Sequence, residues 1–248
     1  MVSDEIKTIQ EYYNPPQIEF MRVNPRLARL KWGRGTGKTE GPIAFRIHNS
    51  VKNMPRSTGV FVVPSYQKFF TDLIPGIRLG LAKLKMFEGV HYSVGTAPPK
   101  SKNWDNPIYM PKNYNNVISF ANGSILKLLS QDGSVHGQGS SIDYVIGDEA
   151  KLLDKARIDE EVLKGMRGNA HRFKNVPEYG SQLYCSDKFV KSKHFTWFFQ
   201  EMDGFDPSVM EQFREILKYI DYLKATGQDS KKKKKQLSVV DGTQAINE

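Results

Sequence analysis

The sequence predicts the α/β class: a central, mostly parallel β-sheet flanked by helices on both faces, plus a small C-terminal helical element. Three observations carry this. Short apolar runs at 27–32 and 59–63 alternate with helical spacings at 39–51 and 66–84, and such alternation favours parallel strands joined by helices that cover the sheet. A glycine-rich loop separates the first apolar run from the first long helix. Further along, the short apolar strand around Tyr144-Val145-Ile146 ends in Asp148-Glu149.

Taken in order, residues 1–30 are a polar, partly helical lead-in broken by Pro15, Pro16 and Pro25, since each proline disfavours helix at the residue before it. The helix predicted over 39–51 tolerates Pro42 because it falls in the first turn. Residues 59–63 (GVFVV) read as a buried strand, and 66–84 as one or two helices interrupted at Pro75-Gly76. The stretch 89–116, with four prolines and many Asn and Lys, reads as an irregular excursion. A hairpin follows, with strands 117–120 and 125–129 around a turn at Asn122-Gly123. After a Gly- and Ser-rich stretch come the strand ending at Asp148, a polar helical region over 154–167, and a last strand in SQLYCSD. Asp206 and Pro207 cap an amphipathic helix whose apolar residues, Val209, Met210, Phe213, Ile216, Leu217, Ile220 and Leu223, recur at helical spacing until Gly227. Beyond it lies a lysine-rich tail with the composition of a disordered segment. These readings divide the chain into a main domain at 1–200, a helical linker or lid at 201–230 and a tail at 231–248.

Composition narrows the class. With 248 residues, 39% apolar and 25% charged, the chain can build one core without disulfide staples. Its single cysteine, Cys185, cannot form an internal disulfide and points to a reducing compartment. No apolar stretch of about 18 residues suggests a membrane span, and the N-terminus lacks the apolar core of a secretory signal, which predicts a soluble intracellular protein. The net charge is +9, with five positive charges in the run at 231–235. A surplus spread beyond that run favours a polyanionic partner such as nucleic acid.

Chemistry is concentrated in two places. The run Gly33-Arg34-Gly35-Thr36-Gly37-Lys38-Thr39 combines what a loop around a triphosphate requires: glycines that let backbone N–H groups approach phosphates, a lysine for β/γ charge, and a hydroxyl for Mg²⁺. Trp32 stands where the standard pattern has its first glycine. At the second place, Asp148 ends a buried strand and is suited to hold Mg²⁺, while Glu149 is suited to polarise an attacking water as general base. The five histidines (48, 91, 136, 171, 194) show no ligand spacing. Cys185, without a partner base, reads as a packing residue.

In these motifs the chain resembles the ATPase domain of the large terminase subunit, the motor that packages DNA into viral procapsids. Loops of the form GRGSGKS occur there without the early glycine, and Arg34 matches their arginine. The segment NPPQIEFM resembles the family stretch whose glutamine reads adenine, here Gln17. The pattern Ser119-Phe120, Asn122-Gly123-Ser124-Ile125, Gly137 and then the acidic strand is similar to the family's order, and LYCSDK resembles its coupling motif, here Ser186. The resemblance, over about 14–200, implies a P-loop NTPase of the additional-strand type. It implies ATP and Mg²⁺ as cofactors, with Gln17, Gly33, Arg34, Gly35, Thr36, Gly37, Lys38, Thr39 and Asp148 binding nucleotide, Thr39 and Asp148 holding the metal, and Glu149, Lys38 and Arg34 catalytic. It further implies double-stranded DNA, a portal protein and a small terminase subunit as partners, a homo-oligomeric ring, and the host cell cytoplasm as location, with no membrane role. His136 stands where many relatives carry a trans-acting arginine, and Arg157, Arg167 and Arg172 are candidate substitutes. The family's nuclease domain has no counterpart in these 248 residues, and no nuclease activity is expected of them. Alternatives are a helicase-like nucleic-acid-dependent ATPase, a small-molecule phosphotransferase, and a nucleotide-gated interaction module.

Overall fold

The computed structural model describes residues 12–132, 141–167, 169–188, 195–204 and 206–226. Its first helix, α1 (Pro15–Val23), opens with a capping box in which Asn14 and Gln17 satisfy each other's backbone N–H groups. Strand β1 (Leu27–Lys31) leads into the glycine loop, then a wide π-helical turn (Thr39–Ile43) and helix α2 (Ala44–Asn53). The continuous apolar run at 58–63 becomes β2 (Thr58–Val63), buried at every position, as expected of a strand covered on both faces.

The stretch after β2 is where prediction and structure part. A short turn α3 (Tyr66–Lys68) passes through a π-helical turn (Phe69–Leu73) directly into α4 (Ile74–Lys83), with no break at Pro75-Gly76. Pro75 falls where the π-helical turn passes into α4, and there the Ile74 N–H reaches back five residues to the Phe69 carbonyl, so the ordinary four-residue ladder is already interrupted beside the proline. The glycines serve packing. A Cβ on Gly76 would lie 3.1 Å from the Thr39 methyl, and one on Gly80 would lie 2.2 Å from the Glu40 carbonyl oxygen. Helix α4 therefore crosses the first turn after the glycine loop at close range.

The irregular excursion contains a three-residue strand, β3 (Tyr92–Val94), followed by the predicted hairpin of β4 (Val117–Phe120) and β5 (Ile125–Ser130). Gly123 at its turn has φ +77°, in the region glycine enters without strain. Asn122 and Ser124 anchor the hairpin to the end of α2 by donating to the carbonyls of Val51 and Met54 at 2.7 and 3.1 Å. Then come β6 (Tyr144–Gly147), α5 (Lys155–Glu161), a short α6 (Ala170–Phe173), β7 (Ser181–Ser186), α7 (Trp197–Asp203) and α8 (Pro207–Ala225).

All seven strands form one sheet in the order β1-β7-β6-β2-β5-β4-β3; the five from β1 to β5 run parallel, β4 runs against them, and β3, antiparallel to β4, returns to their direction. One strand, β7, lies between the glycine-loop strand and the acidic strand, which is the additional-strand arrangement of the phosphate-loop fold. Alternate residues along the strands sort the core into two layers. Phe61, Val63, Tyr144, Ile146, Leu183 and Cys185 face α2 and α4, and Val60, Val62, Val145 and Tyr184 face α5 and α7.

Helix α8 departs from expectation in depth. Of its apolar stripe only Leu223 is buried, and it is fastened to α1 by ion pairs Arg214–Glu19 and Arg22–Asp221, both 2.8 Å. The amphipathic spacing is real, but the helix rests on the rim of the domain and enters neither core layer. No helix among the described residues is long and apolar enough to cross a membrane.

Candidate functional site

The carboxyl ends of β1, β7 and β6 bring the two chemical motifs together. The Trp32 N–H donates to the Ser186 carbonyl at 3.1 Å, which carries the β1–β7 pairing one residue into the glycine loop. Gly35 and Gly37 adopt φ +74° and +72°, left-handed conformations that free their N–H groups from helical geometry. Above Gly35 a Cβ would meet nothing within 4 Å, whereas on Gly37 it would lie 2.3 Å from the Gln17 amide nitrogen. The loop is thus open outward and packed inward. Lys38 reaches back beneath it and donates from Nζ to the carbonyls of Trp32 and Gly33, both at 2.9 Å. The Thr36 hydroxyl donates to the Gly33 carbonyl at 2.8 Å, and Thr39 opens the turn that leads into α2.

The capping box of α1 holds this loop from below. Asn14 donates from its amide to the Thr36 carbonyl at 3.0 Å, and Gln17 from its amide to the Gly37 carbonyl at 2.9 Å. The Gln17 amide oxygen accepts the Asn14 N–H at 2.8 Å. Gln17 is buried, and both ends of its amide are engaged within the chain. Gln17, which the resemblance nominates to read adenine, lies under the glycine loop beside Asn14, and each holds one of its carbonyls.

On the acidic strand, Asp148 is buried, and burial with Glu149 alongside pushes its carboxyl up to about 6, against the pull of Lys38 and Lys151. A carboxylate in this position gains from a cation. Glu149 takes a left-handed conformation, φ 52° and ψ 44°, uncommon for a residue with a side chain and of the kind found at functional turns. Its Oε2 is buried without a hydrogen bond and faces the Lys151 ammonium at 3.6 Å. Lys151 is only 7% exposed along its side chain and is bonded to Asp187 Oδ1. The other oxygen of Asp187 accepts from Arg34 Nε at 3.1 Å. Ser186 Oγ, the expected coupling hydroxyl, accepts the Lys151 N–H at 3.3 Å. Lys151 and Asp187 are the site residues sequence reading missed. Asp187 lay within the LYCSDK motif, next to the singled-out serine, but nothing in the sequence paired it with the other two strands.

Other candidates fall elsewhere. Cys185 is buried behind Asp148, and burial raises its thiol well above the usual range, which suits packing and disfavours a nucleophile. Arg157 donates to the Gln131 carbonyl at 2.6 Å and lies 3.6 Å from Glu161. Arg172 stands 5.3 Å over the Phe173 ring and acts on Asp143, at the opposite end of the sheet from the loop. Arg167 follows the short turn after α5. His136, Gly137, His194 and the lysine run at 231–235 lie outside the described residues.

The residues present fit a magnesium nucleotide. Open space lies above left-handed glycines, a lysine crosses the loop, a threonine follows it, and a buried carboxylate sits within the field of that lysine. Mg²⁺ held by phosphates takes only one or two protein oxygens, a number that a hydroxyl and a carboxylate such as those of Thr39 and Asp148 would match.

Among solved structures, the chain is similar to the large terminase ATPase domain of Thermus phage P74-26. The identity is 17% over 77% of this chain and 68% of that one, with a TM-score of 0.47. An arginine-to-alanine mutant of that domain matches at 18% identity over 76% and 69%, also with a TM-score of 0.47. The Phi-28 gp11 DNA packaging motor matches at 12% identity over 71% of this chain and 49% of that one, with a TM-score of 0.31. No protein-family model and no curated protein matches the sequence.

Proposed function

We propose that this chain is a Mg²⁺-dependent ATPase that acts as the motor domain of a viral DNA-packaging terminase. The observation that carries the ATPase reading is the meeting of the glycine loop after β1 and the acidic pair after β6 across β7, close enough that Lys38 acts on Asp148. Lys38 and the loop N–H groups bind the phosphates and offset charge that builds on them during transfer. Thr39 and Asp148 would hold Mg²⁺, which would supply positive charge to offset that of the phosphates when bound. Glu149 accepts a proton from the attacking water, and Arg34, 86% exposed along its side chain, turns toward the γ-phosphate. Asn14 and Gln17 keep the loop in register. Ser186 links the acidic turn to β7.

The packaging part rests on the order and spacing of the motifs that resemble the terminase family. By that resemblance double-stranded DNA is the substrate moved, portal and small terminase proteins are partners, several copies form a ring, and the work is done in the host cytoplasm.

Glu149→Gln is expected to abolish turnover and retain ATP binding, and Lys38→Ala to lose binding, both read by phosphate release and by titration with a fluorescent nucleotide. Unchanged turnover in the first variant or unchanged affinity in the second overturns the assignment. Turnover that rises with added duplex DNA or portal supports the motor reading. Strand separation by the pure protein would favour a helicase, and turnover that requires a small acceptor a phosphotransferase.

A further inference from the structure

The nucleotide site occupies the carboxyl ends of the strands and leaves the charge at their amino ends unexplained. There the segments that lead into β1, β2, β6 and β7 expose Arg26, Lys52, Arg56, Arg167, Arg172 and Lys174. Among the described residues none of these six belongs to an ion pair. The acids of this edge are engaged within the fold. Asp143, part of whose charge Arg172 offsets, is buried and bonded to Thr58 and Asn169. Glu178 is buried and accepts the Asn24 amide at 3.1 Å, and Glu160 lies 3.8 Å from Lys164. Against the six cations stands the exposed Asp105, held beside the hairpin turn by its N–H on the Ala121 carbonyl at 2.9 Å.

Three of the arginines are held in place by the fold. The Arg26 guanidinium lies over Gly180, where a Cβ would come within 2.5 Å of its Nη2. Arg56 has φ 64°, uncommon for a residue with a side chain. Its Nε donates to the Asn106 carbonyl at 2.8 Å, and a Cβ on Gly123 would come within 2.9 Å of its Cγ. Arg172 stands 5.3 Å over the Phe173 ring. Charge placed for solubility needs neither a left-handed backbone nor a bare glycine beneath it. Guanidinium groups fixed in advance lose less freedom when they meet an anion.

We propose that the amino edge of the sheet is a docking surface for duplex nucleic acid, which it grips by the phosphate backbone. Neighbouring strands lie about 4.8 Å apart, so the row from β1 through β7 and β6 to β2 spans about 14 Å. Over that length one strand of a duplex presents about four phosphates, at about 3.4 Å each along the axis. A regular row of anions matches cations set at successive strand ends, and the arginine fork suits phosphate oxygens. Carboxylates on an acidic protein keep no such repeat. Contacts of this kind position a duplex without reading its bases. The inference deepens the packaging reading, on which it rests for the duplex form of the polyanion, and puts the duplex and the nucleotide at opposite ends of the strands, where they bind without competing.

The test follows binding of a labelled DNA duplex to the full chain across a range of salt concentrations. In the triple variant Arg56→Gln/Arg172→Gln/Lys174→Gln, affinity at moderate salt falls at least about tenfold and the slope of log affinity against log salt becomes shallower by about 2.7, or about 0.9 per cation removed. Affinity for a fluorescent ATP analogue stays within about twofold, because the changes lie far from the glycine loop. A control, Lys68→Gln/Lys218→Gln/Lys224→Gln, removes the same charge from exposed positions elsewhere and changes the slope by less than about 1. No duplex binding by wild type, an unchanged slope in the triple variant, or an equal loss in the control overturns the proposal. So does a triple variant that keeps the duplex and loses polyglutamate, since the surface would then serve an acidic protein. If the triple variant does not fold, Lys52→Gln/Lys174→Gln still decides, with a slope shallower by about 1.8. None of these measurements reads turnover, so absent turnover in wild type, or full turnover in Glu149→Gln, would remove the ATPase reading and leave the docking surface standing.

Discussion

Strand β6 is bounded by two buried aspartates with opposite circumstances. Asp143, before its first residue, accepts the Thr58 N–H at 2.8 Å and the Asn169 amide on both oxygens at 3.0 Å. Asp148, after its last residue, has the N–H of Glu149 as its own favourable hydrogen bond and another carboxylate next to it. Both carboxyls are raised by burial. At the amino end of the sheet the charge is wrapped by fixed donors and ties β6 to β2. At the carboxyl end it is left short of partners, beside a backbone in a left-handed turn. The first arrangement serves the fold; the second is the kind that would suit a ligand bringing its own positive charge. A buried acid thus becomes informative through what fails to satisfy it.

The largest expected effect breaks the amino end. Asp143→Ala leaves the Thr58 N–H and the Asn169 amide without an acceptor, and stability should fall by about 3 kcal/mol, or on the order of 10 °C in Tm for a chain of this size. A drop under about 1 kcal/mol in chemical denaturation would mean that the two aspartates do not differ as described.

At the other end the sign reverses. Asp148 has a folded value of about 6 against 3.8 for the ordinary side chain. A raised folded value means that the native state binds the proton more tightly, so this residue's stabilisation is full below the unfolded value and is lost as pH rises through about 6. Asp148→Asn should therefore be more stable than wild type at pH 7 by about 2–3 kcal/mol, with the gain shrinking through pH 6 and gone near pH 4. Its turnover should fall at least about 100-fold. Denaturation at pH 7 and pH 4 checks the first statement, and a variant less stable at pH 7 would refute it.

The smallest effect sharpens the picture of the loop tether. Gln17→Ala removes one side of the capping box and the bond to Gly37, a loss of about 1–2 kcal/mol. If the residue acts as the tether seen here, affinity for ATP and GTP falls by the same factor. A loss confined to ATP would support the adenine-reading role that the resemblance gives Gln17.

Much of the frame was legible because it is written locally. The apolar runs that became β2, β6 and β7, the Asn122-Gly123 turn and the capped α8 each announce themselves within a few residues. Pro75-Gly76 misled because a proline in a first turn and a glycine packed beneath another helix have the same letters as a break. Strand β3, three residues long, carries too little pattern to be read. In the site, the loop and the acidic pair were legible as contiguous motifs. The Lys151–Asp187 and Arg34–Asp187 bonds span 36 and 153 residues of chain, and only the parallel order of β1, β7 and β6 makes those distances short. The depth of α8 was likewise invisible, since helical spacing records which side is apolar and not what covers it.

The glycines of α4 have a mechanical meaning. With a bare Cα of Gly80 facing the Glu40 carbonyl, and Gly76 facing Thr39, no pliable side chain separates α4 from the turn that follows the phosphate loop. At these two points a shift of the turn would meet backbone or a short side chain and no long one that could absorb it, so the contact couples α4, with Leu79 52% exposed on the surface, stiffly to the turn.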